Sequence, residues 1–294
     1  MMRTITVVLL LGFIAVFLGC SDSTSVETTQ FKGSIYYSNG GTVYKLNVTD
    51  QSKTELFTNA RHPDVTNSGD IICVETYPMV RIMRTDLTGA NRNNVLTGVD
   101  YTGPKYRQYM NKPRISYNQQ YVVYEGDNVS NPNTYVVNAT DGTLIATIGD
   151  YSKSQPMITP SWAPDGSIVV QGWTSLNNGI YKVSPDFTSM QRIDPNLTNV
   201  SEPSVSPDGK TIAFIRDGQL WIMGIDGSNA TQLYAGGNYR FGMPTWSPDS
   251  KYIATVNNLA SSGHIHILDV QAKTLTEITK SHYVSPDHQL CWRY

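Results

Sequence analysis

Few residues in this chain have the types and spacing for chemistry. Four of its five histidines lie near the end, at His264, His266, His282 and His288. His264 and His266 stand two apart, which on a strand puts both imidazoles on one face, an arrangement able to ligate a divalent metal. The same spacing also describes two half-exposed strand histidines. No Gly-x-Ser-x-Gly elbow is present, and no glycine-rich phosphate loop precedes a helix. No catalytic residue is therefore assigned.

A second group is aromatic and basic. Tyr101, Lys105, Tyr106, Arg107 and Tyr109 fall in one stretch, 99–112, and Tyr151 with Lys153, Tyr239 with Arg240, and Tyr283 fall in others. Tyr and Arg dominate binding hot spots, and loops held by a rigid scaffold are where recognition concentrates. These residues are the candidate binding set. The competing reading gives the tyrosines to packing and the Lys and Arg to solubility. The 99–112 stretch is longer than a turn requires.

The elements that must position these groups recur along the chain. Residues 203–234 read as four short strands separated by turn signals at Pro207-Asp208-Gly209, Asp217-Gly218 and Asp226-Gly227. Related units occupy 244–279 and 160–194, with weaker ones at 113–149 and 63–97, opened by Pro63, Pro113, Pro160, Pro203 and Pro244. No segment between them has a helical period. Residues 34–58 match the later part of a unit and 283–294 its beginning. A chain that starts mid-unit and ends on the missing front can close a ring, which removes exposed strand edges. The expected fold is all-β: a six-bladed β-propeller of four-stranded antiparallel blades, closed by N- and C-terminal segments sharing one blade. Residues 34–38 and 289–294 both look like second strands, so the closing blade's arrangement stays open. Trp162, Trp246 and Trp221 are expected in inter-blade core. Asp86, Asp141 and Asp226 sit in turns, each with too few carboxylates for calcium.

The segments PSWAPDGS (160–167), PSVSPDGK (203–210) and PTWSPDSK (244–251) resemble the WD40-like repeat of TolB and of the propeller domains of prolyl oligopeptidase relatives. The resemblance covers nearly all the chain after its first thirty residues and implies the propeller fold, since the motif encodes a turn between strands. TolB carries an additional N-terminal α/β domain that is not expected here. Some propeller lyases acting on acidic oligosaccharides use clustered His and a Gln around a metal. Here His264 and His266 take the place of Gln219 and Trp221 in the neighbouring unit, on the third strand. No metal site and no cofactor is expected, and these two histidines are the pair that would form one.

The N-terminus carries an address. Arg3 precedes an uncharged apolar run, Ile5 to Leu18, shorter than the roughly 20 residues of a spanning helix. Phe17-Leu18-Gly19-Cys20 resembles a bacterial lipoprotein signal, with Cys20 as the lipidation site. The expected division is 1–19 signal peptide, 20–31 polar tether and 32–294 a single propeller domain, held in the cell envelope, at the outer membrane, facing the periplasm or exterior. Lys and Arg number 22 against 24 Asp and Glu, so no overall field favours nucleic acid. After Cys20 only Cys73 and Cys291 remain, and an oxidising compartment permits a disulfide. The repeat alignment puts both on second strands of neighbouring blades with opposite parity, where they could face each other and form a bond locking the closure; the competing reading is two small buried hydrophobes. The function expected is a monomeric, membrane-tethered, non-enzymatic scaffold recognising an envelope protein or an acidic polymer through its inter-blade loops. The alternative is a propeller lyase or hydrolase that acts on acidic oligosaccharides with a divalent metal.

Overall fold

Short apolar-rich runs punctuated by Asp-Gly and Asn-Gly produce strands throughout, and the second strands of the units are buried along all or nearly all of their length. The computed structural model describes residues 31–98, 109–126, 132–150, 155–173, 178–194, 196–235, 239–257, 263–279 and 289–294. The signal, Cys20 and most of the tether lie outside them.

The first sheet contains β1 (Ser34–Asn39), β2 (Thr42–Asn47) and β3 (Lys53–Thr58). The second is β4 (Ala60–Val65), β5 (Ile71–Glu75), β6 (Arg81–Thr85) and β7 (Asn93–Thr97). Next come β8 (Met110–Ile115), β9 (Tyr121–Gly126), β10 (Asn133–Asn138) and β11 (Leu144–Asp150), then β12 (Gln155–Trp162), β13 (Ile168–Gly172), β14 (Gly179–Val183) and β15 (Met190–Arg192). β16 (Val200–Val205), β17 (Thr211–Arg216), β18 (Gln219–Gly224) and β19 (Thr231–Gln232) form another sheet, as do β20 (Phe241–Trp246), β21 (Tyr252–Asn257), β22 (His264–Asp269) and β23 (Leu275–Glu277). β24 (Cys291–Arg293) returns to pair with β1.

All pairings are antiparallel, and the fold is an all-β propeller. Its strands make four sheets of four and one of eight, β8 to β15. The large sheet arises because β11 and β12 run on far enough to meet, at Gly149↔Pro156 and Asp150↔Gln155. The innermost strands β4, β8, β12, β16, β20 and β24 touch one another in a closed cycle. Apolar clusters fill the space between neighbouring sheets. One joins Ile35, Leu46 and Trp292 to Val256 and Ile267, so the first and last sequence units share a core. Trp162 and Trp246 are buried there as expected, while Trp221 is half-buried under the Arg216 guanidinium.

The ambiguity over closure resolves. Residues 291–293 are the innermost strand and 34–39 the second, in the order β24-β1-β2-β3. Gly33, at φ 93°, makes the join. A Cβ there would lie 2.3 Å from the Arg293 carbonyl oxygen, so only glycine fits.

Cys73 and Cys291 correct one expectation. Cys291 is on the innermost strand, not a second strand. Both cysteines pack in the same core cluster, yet both are free thiols. Cys291 Sγ is instead held by the Val65 N–H at 3.3 Å. Burial pushes the Cys291 thiol up to about 12 and the Cys73 thiol higher still, so both behave as small core hydrophobes.

Candidate functional site at the channel mouth

Each leading proline marks a backbone device that its sequence role as a punctuator concealed. The residues before Pro63, Pro113, Pro160, Pro203 and Pro244 are His62, Lys112, Thr159, Glu202 and Met243. All five are left-handed, with φ between 47° and 55°. Non-glycine residues avoid this region, and a following proline favours extended geometry. At each site the ladder to the second strand slips, between Arg61 and Asp64, Asn111 and Arg114, Ile158 and Ser161, Ser201 and Ser204, and Gly242 and Thr245. These are β-bulges, which re-aim side chains and occur at barrel rims and beside active sites.

The bulges hold because each displaced N–H finds a partner. His62 N–H donates to Ser38 Oγ at 3.0 Å, Lys112 N–H to His62 Nδ1 at 3.3 Å, Thr159 N–H to Glu125 Oε1 at 2.7 Å and Glu202 N–H to Gln171 Oε1 at 3.1 Å. Met243 N–H donates to Glu202 Oε2. Every partner belongs to the preceding unit, so the bulges also stitch neighbouring units together.

All five bulge residues line a cavity of about 470 Å³ at the end of the channel where the innermost strands begin. Arg61, Tyr109, Asn111 and Gln289 complete its working surface. A smaller cavity of about 340 Å³ opens at the opposite end, and Arg114 lines both. Arg114 donates to the Leu290 carbonyl at 3.1 Å and lies 3.5 Å from buried Asp64, which accepts from Ile115 N–H at 2.9 Å.

The charges at the mouth are unequal in freedom. Lys112 Nζ lies 3.3 Å from Glu125. Burial works against the Lys112 ammonium, but Glu125 and Glu202 outweigh it and hold its pKa above the usual range. Glu125 is thereby committed to Lys112 and Thr159, and Glu202 to Met243. Three polar atoms here are buried without a hydrogen-bond partner: Arg61 Nε, Asn111 Oδ1 and Gln289 Oε1. The Gln289 amide is oriented by its nitrogen, which donates to the Pro63 and Pro113 carbonyls at 3.2 and 3.1 Å.

The candidate binding set divides. Tyr101, Lys105, Tyr106, Arg107, Tyr151, Lys153 and Tyr283 lie outside the described residues. Tyr109 lines the mouth. Arg240 is exposed. Tyr239 is a packing residue, stacked on Phe241 with centroids 5.5 Å apart and edge-on to His266. His264 and His266 do not face the channel. His264 Nδ1 is 2.8 Å from the Thr279 carbonyl and 3.3 Å from Glu277 Oε1. Burial holds the His266 imidazole below its usual range against the opposing pull of the His264 carbonyl and Glu277. Among the described residues no cluster of three or more His, Cys, Asp or Glu is placed to hold a metal.

These features define a β-propeller whose mouth is built from one bulge residue from each of the five proline-led units. The chain belongs to the TolB β-propeller family: the family's model, the TolB beta propeller domain, matches residues 65–289. Among curated proteins it is similar to dipeptidyl-peptidase 5 of Porphyromonas gingivalis, 30% identical over 154 residues, a match spanning 42% of this chain and 22% of that protein. Among solved structures it resembles TolB from Acinetobacter baumannii, with a TM-score of 0.69 at 14% identity, covering 88% of this chain and 66% of that one. It also resembles an oligogalacturonate lyase in complex with manganese, at a TM-score of 0.57 and 13% identity, covering 83% and 70% of the two chains. At these identities the likenesses to solved structures speak for the fold alone.

Proposed function

We propose that this protein is a six-bladed, non-enzymatic binding propeller of the bacterial cell envelope, lipid-anchored through Cys20, which recognises a protein or an acidic polymer on the face where the inter-unit links emerge. The count of six reads the eight-stranded sheet as two blades joined by a short pairing, in keeping with the cycle of innermost strands. The family's TolB relatives favour an envelope or periplasmic setting. The observation that carries the binding reading is the state of the mouth: both carboxylates there are bonded within the protein, while Arg61, Lys112 and Tyr109 face the cavity. General acid–base chemistry needs a carboxylate or imidazole free to exchange protons with substrate.

The chain enters the ring at Phe31, which packs on Tyr252 at the face opposite the mouth. A tether from Cys20 to Phe31 would therefore leave the mouth turned away from the lipid. Affinity capture from envelope extracts tests the reading, comparing the wild type with Tyr106→Ala/Arg107→Ala and with Arg61→Gln/Lys112→Gln. Loss of a wild-type partner in either variant is expected. Equal recovery of every partner refutes the loop-face reading. A stoichiometric divalent metal in elemental analysis, with cleavage of an acidic oligosaccharide, would replace it with the lyase or hydrolase reading.

A further inference from the structure

Buried polar groups without partners are uncommon in folded proteins, and each calls for a physical reason. Among the described residues, three such atoms fall on one cavity. Asn111 is 9% exposed and Gln289 3% exposed; both residues line the mouth, and each carries a buried carbonyl oxygen with no hydrogen-bond partner. Arg61 Nε is the third, an unpaired donor on a fixed positive charge. Arg61 and Asn111 occupy equivalent places in consecutive units, one residue ahead of His62 and Lys112. Gln289 bridges the prolines that follow those two residues. The three groups therefore converge on one side of the channel.

Their chemistry is complementary in kind. The guanidinium asks for an anionic acceptor with planar geometry, which a carboxylate supplies. The two amide oxygens ask for hydrogen-bond donors close to that carboxylate. Lys112 adds positive potential, since its ammonium retains donors beyond the one directed at Glu125. A cavity of this volume holds a small molecule or a chain end, not a folded domain.

We infer that the mouth binds an α-amino or α-amido carboxylate, its carboxylate on Arg61 and its adjacent N–H on Asn111 Oδ1 and Gln289 Oε1. Two sources supply this headgroup: a free amino acid, or the C-terminal residue of a peptide. This rests on the reading of the mouth as a binding face and narrows its ligand. A uronate differs, because the atom beside its carboxylate carbon bears the ring oxygen, which has no hydrogen to donate.

Isothermal titration of the purified protein tests this with glycine for the free source and N-acetylglycylglycine for the peptide source. Acetate removes the donor, and the C-terminal amide of N-acetylglycylglycine removes the carboxylate. Saturable binding of glycine or N-acetylglycylglycine is expected, and the tighter of the two names the source. Acetate and the amide should bind at least about tenfold more weakly. Arg61→Gln should lower affinity by a similar factor. Asn111→Asp keeps the side-chain shape and sets a charge against the ligand carboxylate, so it should abolish binding, with wild-type circular dichroism at the assay temperature showing that the variant is folded. The inference is overturned if neither probe saturates, if acetate binds as well as glycine, if both variants bind like wild type, or if trigalacturonate alone binds. Capture through the 99–112 link is read with separate variants, so loss of the small-ligand inference leaves the loop-face reading standing.

Discussion

The ring is closed by three residues, and removing one side chain should open it before the rest unfolds. Trp292 is fully buried, pairs with Ile35 across the β24–β1 ladder, and donates its indole N–H to the Lys32 carbonyl at 2.9 Å. Cutting a buried Trp to Ala costs about 3–5 kcal/mol. Losing the indole bond leaves the Lys32 carbonyl unpaired, adding about 1 kcal/mol. A total of about 4–6 kcal/mol is a large share of the roughly 5–15 kcal/mol typical of a folded protein. Most of it should fall on closure, because β24 has only three paired residues to hold it. The assay is thiol labelling in a Cys20→Ser background. Buried thiols with raised pKa react only when the structure opens. In Trp292→Ala, Cys291 should label roughly a thousandfold faster than in the wild type, with Cys73 lagging. Trp246→Ala is the control: its indole is equally engaged, with Ser204 O at 2.9 Å, but its strand, β20, runs over 6 residues where β24 has 3. It should speed both thiols alike. If Trp292→Ala labels both thiols at one rate, β24 does not open alone and the closure argument fails.

Other consequences follow from buried charge and tight turns. Burial works against the Glu75 carboxylate, but Arg81 and Arg92 outweigh it and hold its pKa low. Glu75→Gln should cost about 3 kcal/mol in urea denaturation near neutrality, and the gap should close as pH falls through the folded-state pKa, because protonation removes the same pairs. His266 has the opposite sign: its folded pKa lies below the unfolded value near 6.5, so the unfolded chain takes the proton first. Stability should fall as pH drops below about 6.5, and His266→Gln should flatten that slope; an unchanged slope refutes the assignment. A Cβ on Gly227, at φ 85°, would lie 1.7 Å from the Ile193 carbonyl oxygen, whereas at Gly209 the nearest atom is 3.3 Å away. Gly209→Ala should cost about 1–2 kcal/mol for its left-handed backbone, and Gly227→Ala clearly more, read as a larger fall in denaturation midpoint.

The fold was legible because a turn that needs Pro for φ and Gly for a left-handed residue leaves few alternatives, and its recurrence sets the period. Closure was legible because the two end fragments complement one another. The assignment of Cys291 failed for a specific reason. Residues 289–294 carry the apolar character of a second strand, but their register is imposed by Gly33 and by Trp292 reaching Lys32, neither of which a local pattern reports. His264 and His266 were read correctly as third-strand residues. The aromatic links were only partly informative: Tyr109 reaches the mouth, while Tyr239 is absorbed into packing with Phe241 and His266. The mouth itself was missed, although its signal stood beside each leading proline.

That signal also locates where function can vary. The repeat constrains the proline, the turn and the apolar positions of every unit, since each supports shape. The bulge residue is constrained in backbone, left-handed at about 50° in all five cases, yet its side chain is imidazole, ammonium, hydroxyl, carboxylate or thioether. A left-handed non-glycine residue costs about 1–2 kcal/mol, and glycine would relieve it at each site. None of the five is glycine. A fold that needed only its shape would gain stability from glycine there, so the side chains at His62, Lys112, Thr159, Glu202 and Met243 are held against a backbone cost. Three of them also bond the next unit's bulge N–H or a neighbouring carboxylate: His62 binds Lys112 N–H, Lys112 binds Glu125, and Glu202 binds Met243 N–H. Those bonds account for part of the cost by joining units. They do not account for the unpaired atoms of Arg61, Asn111 and Gln289, which join nothing within the described residues and lie on the same cavity. The bulge ring explains how the mouth is shaped, and the unpaired trio beside it is where a ligand has something left to satisfy.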